Sequence, residues 1–380
     1  MMKKKVLCWL TYFTIGIYLS GCANGKHESQ EYTQKLYTPL YSSNFSINGN
    51  EETDNILIKV MNPWQGAENV SQEFLIVRDS LHHDDNYKAP YIKKEAKRII
   101  CMSSTHIAML EALGTADRIV GVSGKEYISS SEIRNNPNIP DIGYEGNIDY
   151  ETLVATNPDL VLLFSVNGAS TMEQKLKELK IPFLYIGDYV EEDPLGKSEW
   201  IVPVAEVVGK RESGIEKFKE IAQRYESLKN TVKQSELSKP TVMVNAPFLD
   251  SWFMPSTKSY VAKMIEDAGG IYIYDKNTGN TSKPIELEEA LKYVDEADFW
   301  INIGTVSSLD ELKATFPKFV SADCVKNGNV FNNNLRSSPG GGNDCYESGV
   351  MHPDVVLRDM VKIFHPELMD EELFYYRRLK

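Results

Sequence analysis

Ile215, Phe218, Ile221, Ala222, Tyr225, Leu228 and Val232 recur at spacings of three and four with charges between them, which predicts one long amphipathic helix. Its surroundings constrain the fold further, because short apolar runs alternate with helical patterns on both sides of it. Upstream, strands are expected at 98–102, 118–122, 159–164 and 182–186, and helices at 106–113, 150–156 and 171–179. Downstream, strands are expected at 241–244 and 299–303, and helices at 260–268 and 287–293. Such alternation builds parallel sheets covered by helices. The expected fold class is therefore α/β, with two Rossmann-like lobes joined by a single long helix.

The two halves also echo each other. Glu151-Thr-Leu-Val-Ala-Thr-Asn-Pro-Asp-Leu-Val-Leu-Leu163 and Glu288-Glu-Ala-Leu-Lys-Tyr-Val-Asp-Glu-Ala-Asp-Phe-Trp-Ile301 share an acidic helix start, a helix, an acidic turn and a buried strand. Upstream of each lies a strand, a loop and a helix ending in Leu113-Gly114 or Ala268-Gly269-Gly270. Paired lobes of similar build leave a cleft between them, a natural place for a ligand.

At the N-terminus, Lys3, Lys4 and Lys5 precede an apolar run from Val6 to Leu19 that closes on Leu19-Ser20-Gly21-Cys22. The run is short for a bilayer span, and small residues sit where cleavage would fall, so residues 1–21 read as a secretory signal. Leu-Ser-Gly-Cys resembles the lipobox of bacterial lipoproteins, which implies lipidation of Cys22. Residues 22–53 are polar and read as a largely disordered lipid-anchored linker. Residues 54–96 carry two β-type runs, 55–60 and 73–78, around a Pro/Gly-containing loop with Trp64, and are expected to form a small N-terminal β-hairpin extension. The remaining boundaries are an N-terminal lobe at 97–211, a connecting helix at 212–234 and a C-terminal lobe at 235–380.

A formal charge of −13 repels phosphate backbones and argues against nucleic acid as a partner. No glycine-rich phosphate loop or nucleophile elbow is present. Three cysteines belong to the body, Cys101, Cys324 and Cys345; a disulfide between Cys324 and Cys345 and three unpaired thiols are both open. Of the six histidines, His82 and His83 cluster with acidic residues in a polar loop, whereas His106 is expected at a loop–helix junction facing the cleft, beside Ser104. No metal site is expected, because zinc needs several convergent ligands. Tyr127, Tyr144, Tyr189, Trp252 and Tyr346 fall in loops between elements and suit a bulky, partly aromatic ligand. Arg336 could pair through its planar fork with an anionic oxygen of that ligand.

Taken together, Arg98-Ile-Ile-Cys-Met-Ser-Ser-Thr-His-Ile-Ala-Met-Leu-Glu-Ala-Leu-Gly114, Arg118-Ile-Val-Gly-Val122, the stretch from Asn147 to Val161 and the mid-chain helix resemble the periplasmic substrate-binding lipoproteins of ABC importers for ferric siderophores, haem and cobalamin. The tail from Asp344 to Arg358, with Phe364-His-Pro366, is similar to the part of iron-complex binding proteins where a helix closes the second lobe. The resemblance implies two lobes on a rigid helix, little closure, and a protein without an enzymatic reaction or a resident cofactor. It implies an iron complex as cargo, a ferric siderophore first, with cobalamin or haem as the alternative. Its partners would be an ABC permease with its ATPase, and its place the periplasm, tethered to a membrane by the lipid. By position, one exposed glutamate per lobe, Glu151 and Glu288 with Glu289 as a rival, would dock on permease arginines. A metal-dependent enzyme and a bare zinc or manganese binder are the readings from other classes, and both need convergent His, Asp or Glu side chains.

Overall fold

The computed structural model describes residues 32–78 and 89–380. The signal, the lipobox with Cys22, and the His82–His83 loop lie outside the described residues.

The first five strands are β1 (Gln34–Tyr37), β2 (Phe45–Gly49), β3 (Ile56–Met61), β4 (Ser71–Val77) and β5 (Tyr91–Lys93), paired in that order in one sheet. All neighbours run antiparallel except β4 and β5, which are parallel. This corrects two sequence expectations: the addition is a sheet rather than a hairpin, and it starts within the segment read as a disordered linker. The low hydrophobicity of 34–49 hides a period of two in which Phe45 and Ile47 point inward and Ser46 and Asn48 outward. Nor is the sheet a loosely appended module. Phe45, Ile58, Val60 and Phe74 join the same hydrophobic core as the main body, and the Phe45 ring lies 5.0 Å from that of the fully buried Trp200.

The first lobe follows as β6 (Ile99–Cys101), α1 (Ser104–Ala112), β7 (Ile119–Val122), α2 (Ser131–Arg134), the short ribbon β8 (Gly143–Tyr144) and β9 (Asn147–Ile148), α3 (Tyr150–Ala155), β10 (Leu160–Leu163), α4 (Met172–Leu179) and β11 (Phe183–Tyr185). Strands β11, β10, β6 and β7 form a parallel sheet in that order. Every residue of β6, β10 and β11 is buried, as continuous apolar strands covered on both faces must be. Helices α5 (Pro194–Glu199), α6 (Ile201–Val207) and α7 (Arg211–Gln234) come next; α7 buries Phe218, Ile221, Ala222, Tyr225 and Val232 along one face.

The second lobe comprises β12 (Thr241–Val244), β13 (Ser251–Met254), α8 (Tyr260–Asp267), β14 (Ile271–Tyr272), β15 (Lys283–Glu286), α9 (Leu287–Glu296), β16 (Phe299–Ile301), α10 (Leu309–Thr315), α11 (Asp323–Lys326), β17 (Val330–Asn332), α12 (Pro353–Phe364) and β18 (Arg377–Arg378). Its sheet runs β14-β12-β16-β17-β18, parallel except for the last strand, with β13 and β15 as a separate antiparallel ribbon. The sequence echo has a structural counterpart. The Asp159 carboxylate accepts the N–H groups of Lys97 and Arg98 at the entry to β6, and that of Asp298 accepts Thr241 N–H at the start of β12. In each lobe one acidic turn thus holds the start of the neighbouring strand. Cys101, Cys324 and Cys345 are buried free thiols, so the alternative of a Cys324 to Cys345 disulfide is not realised.

Buried carboxylates on α5, on α6 and in the turn before them fix the N-terminal sheet. Glu199, with no exposed surface, accepts Tyr37 Oη–H at 2.6 Å and the backbone N–H groups of Leu40, Tyr41 and Ser42 at 2.6 to 2.8 Å. Glu191 accepts Ser42 Oγ–H at 2.5 Å and Trp200 Nε1–H at 2.8 Å, and burial pushes its carboxyl above the usual range. Glu206, also fully buried, pairs with Arg78 at 3.1 Å just past β4 and with Arg211. Glu199→Ala would remove the partner of the buried Ser42 N–H, of the part-buried Leu40 and Tyr41 N–H groups and of the Tyr37 phenol; it is expected to cost about 2 kcal/mol or more in denaturant unfolding. Exposed Glu212→Ala should stay within about 0.5 kcal/mol. Equal midpoints for the two variants would refute the anchoring role.

Candidate functional site

In open parallel sheets ligands collect beyond the carboxyl ends of the strands, and both lobes aim those ends at one cleft. From the first lobe come Ser103 and Thr105 after β6, Phe164 after β10, and Asp188 and Tyr189 after β11. From the second come Asn245, Asn302 and Asn333, each the residue next after β12, β16 or β17. Asparagine suits two of these places for a backbone reason. Asn245 and Asn302 have φ of 67° and 61°, a left-handed conformation that asparagine tolerates better than most side chains. The cleft encloses about 1410 Å³, larger than common small-molecule pockets. Among the described residues no group of three or more His, Cys, Asp or Glu side chains is placed to hold a metal ion.

The deep wall carries charge. Lys197 on α5 donates to the Asp188 carbonyl at 2.6 Å and places its Nζ 4.8 Å from the centre of the Tyr260 ring, which belongs to the other lobe. Burial pushes the Asp188 carboxyl up and the Lys197 ammonium down, each opposed by the other's charge. A second bond between the lobes joins Lys263 of α8 to Asp193 at 2.5 Å. Asp267 of α8 in turn takes Tyr225 Oη–H at 2.9 Å and Lys229 at 3.2 Å, both from α7.

Two sequence-predicted ligand residues, Tyr189 and Tyr346, do line the cleft, each about half exposed. Ser104 does not, although its neighbours Ser103 and Thr105 do. His106 is fully buried and absent from the cleft wall, because residues 106–110 of α1 all sink into the core. Burial drives its pKa down to about 3, so the imidazole is neutral. Trp252 is also fully buried. The two-residue period of β13 turns it and Met254 inward, where its ring lies 5.5 Å from Trp300 and its Nε1–H donates to Val244 O at 2.9 Å. Tyr127 and Tyr144 are half exposed but lie against each other outside the cleft lining, with Tyr144 Oη–H donating to Glu126. Arg336 is also outside the lining; it pairs with Asp344 at 2.7 Å and lies over the Phe374 ring. What sequence reasoning missed is the asparagine set, signalled by Val244-Asn245, Ile301-Asn302 and Phe331-Asn332-Asn333 at strand ends, together with Trp64, Lys197 and Tyr260.

Beside Tyr127, the two lobes touch directly. Ser338 Oγ–H donates to Glu126 O at 3.2 Å, and Gly342 packs so tightly that a Cβ there would lie 1.5 Å from Tyr127 O. Close by, the buried Glu347 carboxylate of the second lobe accepts Ser129 and Ser130 N–H at 2.7 and 2.8 Å. Burial, with Asp344 and Glu111 nearby, raises its pKa to about 7, from an ordinary 4.5, against those hydrogen bonds. A carboxyl that binds its proton more tightly when folded supports the fold below pH 4.5 and loses that support as pH rises to about 7. Glu347→Gln is therefore expected to flatten the thermal-midpoint curve across that window, whatever its effect at a single pH; a slope identical to wild type would contradict this.

Comparison with known proteins follows the same division of the chain. Residues 99–333 match the model of a family described as periplasmic binding protein. An uncharacterized lipoprotein of Methanocaldococcus jannaschii is 25% identical over 96% of this chain and 94% of its own length. A Bacillus subtilis protein named as an uncharacterized ABC transporter substrate-binding lipoprotein is 28% identical over 26% of this chain and 30% of its own. The fold matches a periplasmic haem-binding protein from Pseudomonas aeruginosa with a TM-score of 0.59 at 14% identity, covering 75% of this chain and 98% of that one. It also matches an Fe3+-hydroxamate transport system structure from Saccharomonospora viridis with a TM-score of 0.54 at 18% identity, covering 72% and 94%. The family match takes in well over half of the residues and both lobes of the cleft, and the chain belongs to the periplasmic binding protein family.

Proposed function

We propose that this protein is the cargo-binding component of an ABC importer, that it captures an iron complex, most readily a ferric siderophore, and that it hands the complex to a membrane permease. The observation that carries this reading is the cleft of about 1410 Å³ lined by Tyr189, Tyr260, Tyr346 and the strand-end asparagines, in a member of this family. A space of that size with aromatic and amide walls suits a preassembled chelate, whereas a bare ion needs convergent ligands at bonding distance. The names of the similar proteins point the same way: lipoprotein for the Methanocaldococcus jannaschii protein, ABC transporter substrate-binding lipoprotein for the Bacillus subtilis one, haem and Fe3+-hydroxamate for the two structures. Lipidation at Cys22 would tether the body outside the cytoplasmic membrane, in the periplasm where the cell has one. Haem and cobalamin are the alternative cargoes, and no cofactor of the protein's own takes part.

Capture here is equilibrium binding without a chemical step. The lobes are already joined by Lys263 to Asp193, by Lys197 over Tyr260 and by Glu347 on Ser129 and Ser130, so the cleft is largely preformed and little ordering cost falls on binding. Delivery would use Glu151 and Glu288. Both are exposed in the first turns of α3 and α9, where the helix dipole favours a negative charge, while the rival Glu289 is engaged with Lys276 at 3.0 Å.

Calorimetric titration of the body after Cys22 with a ferric trihydroxamate, a ferric tris-catecholate, haemin and cobalamin is expected to show saturable binding of a ferric siderophore. Binding of cobalamin alone would replace the leading cargo, and no binding would overturn the reading. Reversing both charges, Glu151→Lys with Glu288→Lys, is expected to leave that affinity unchanged and to abolish uptake in cells; undiminished uptake would remove the docking role.

A further inference from the structure

The N-terminal sheet lies outside residues 99–333, the part shared with the family model, yet one of its loops reaches the cargo cleft. Between β3 and β4, residues 62–67 cross to the carboxyl end of the first-lobe sheet. Gln65 N–H donates to Val166 O at 3.0 Å, and Gln65 bridges Asn167, in the loop that follows β10. The Trp64 ring stands edge-on to Tyr185, the last residue of β11, at 5.7 Å. At its base Asn62 holds the loop with both ends of its residue: its N–H donates to Val70 O at 2.9 Å and its side chain accepts Val70 N–H at 3.1 Å. These contacts brace the loop from within the chain.

Trp64 is unlike the other tryptophans of the described residues. Trp200, Trp252 and Trp300 have no exposed surface, whereas Trp64 is half-buried and lines the cleft with Gln65 and Gly66. Gly66 has φ of 74°, and a Cβ built there meets nothing within 4 Å, so the loop borders open space. Tyr189, Lys258 and Asn280 line the same cleft from other segments. A flat aromatic face, a second aromatic and an ammonium together recognise a ligand that carries aryl rings and anionic oxygens.

Resting on the iron-complex reading above, we propose that residues 62–67 form a third wall of the cargo site, and that Trp64 gives it a preference for aryl-bearing iron chelates over purely aliphatic ones. The wall acts by stacking. It contributes nothing to a ligand without an aryl face.

The test uses the full body after Cys22, titrated with a ferric tris-catecholate, haemin and a ferric trihydroxamate. Trp64→Ala should weaken each aryl-bearing probe that binds the wild type by about tenfold and change the trihydroxamate by less than about threefold. Trp64→Phe, which keeps an aryl face, should stay within about threefold for every probe. Gly66→Asn, which accepts the positive φ and leaves the Trp64 to Tyr185 contact alone, should also weaken the aryl-bearing probes while the thermal midpoint holds. Unchanged affinities in Trp64→Ala and Gly66→Asn, an equal loss for all probes, or a wild type that binds only the trihydroxamate would overturn the third wall while leaving the importer reading intact. A wild type that binds none of the three overturns the third wall together with the iron-complex reading, and the importer reading falls with them when cobalamin fails to bind as well.

Discussion

One buried carboxylate, set beside a shared core, ties the N-terminal sheet to the first lobe and makes one continuous body of them. Glu199 has no exposed surface and, among the described residues, no ion-pair partner; its carboxylate is held by the Tyr37 phenol and the N–H groups of Leu40, Tyr41 and Ser42. A carboxylate in that position is tolerable only while those donors are in place, because an unpaired buried charge is far costlier than any exposed one. The N-terminal sheet and the first lobe are therefore conditional on each other. Asp359 applies the same device at the other end of the chain, where its carboxylate accepts the N–H groups of Phe374, Tyr375 and Tyr376 and sets the segment that leads into β18.

Much of the parallel-sheet architecture was legible because the signals were local and periodic. The apolar runs at β6, β10, β12 and β16 and the spacing along α7 each announce their element without knowledge of distant contacts. Even the acidic turns had a readable purpose, since Asp159 and Asp298 each stand one residue before a buried strand and bind the start of its neighbour. The strands at 34–49 were hidden for the opposite reason. Gln34-Lys-Leu-Tyr and Phe45-Ser-Ile-Asn-Gly carry little apolar content, and what holds them lies elsewhere in the chain: Glu199, more than 150 positions from Ser42, and the shared core that Phe45 and Ile47 enter.

The cleft between the lobes was legible in outline, but which side chains line it was not. Tyr189 and Tyr346, which line the cleft, are visible in the sequence because aromatics in loops stand out; Trp252 stands out equally, but belongs to a strand whose alternation turns it inward. His106 drew attention through its chemistry, and chemistry does not reveal that residues 106–110 of its helix are all buried. The asparagines at the strand ends went unnoticed, since their meaning lies in backbone conformation as much as in the amide.

The contact at Gly342 carries a consequence for how this architecture can diversify. At Gly342 itself the lobes meet main chain to main chain, and no side chain stands at that point for substitution to lengthen, shorten or recharge. The separation of the lobes there is a fixed dimension of the molecule. Relatives that handle cargo of other girths would have to vary the opposite rim or move the seam as a whole, so adaptation should appear as insertions, deletions and exchanged loops on one edge of the cleft rather than as point changes spread around it.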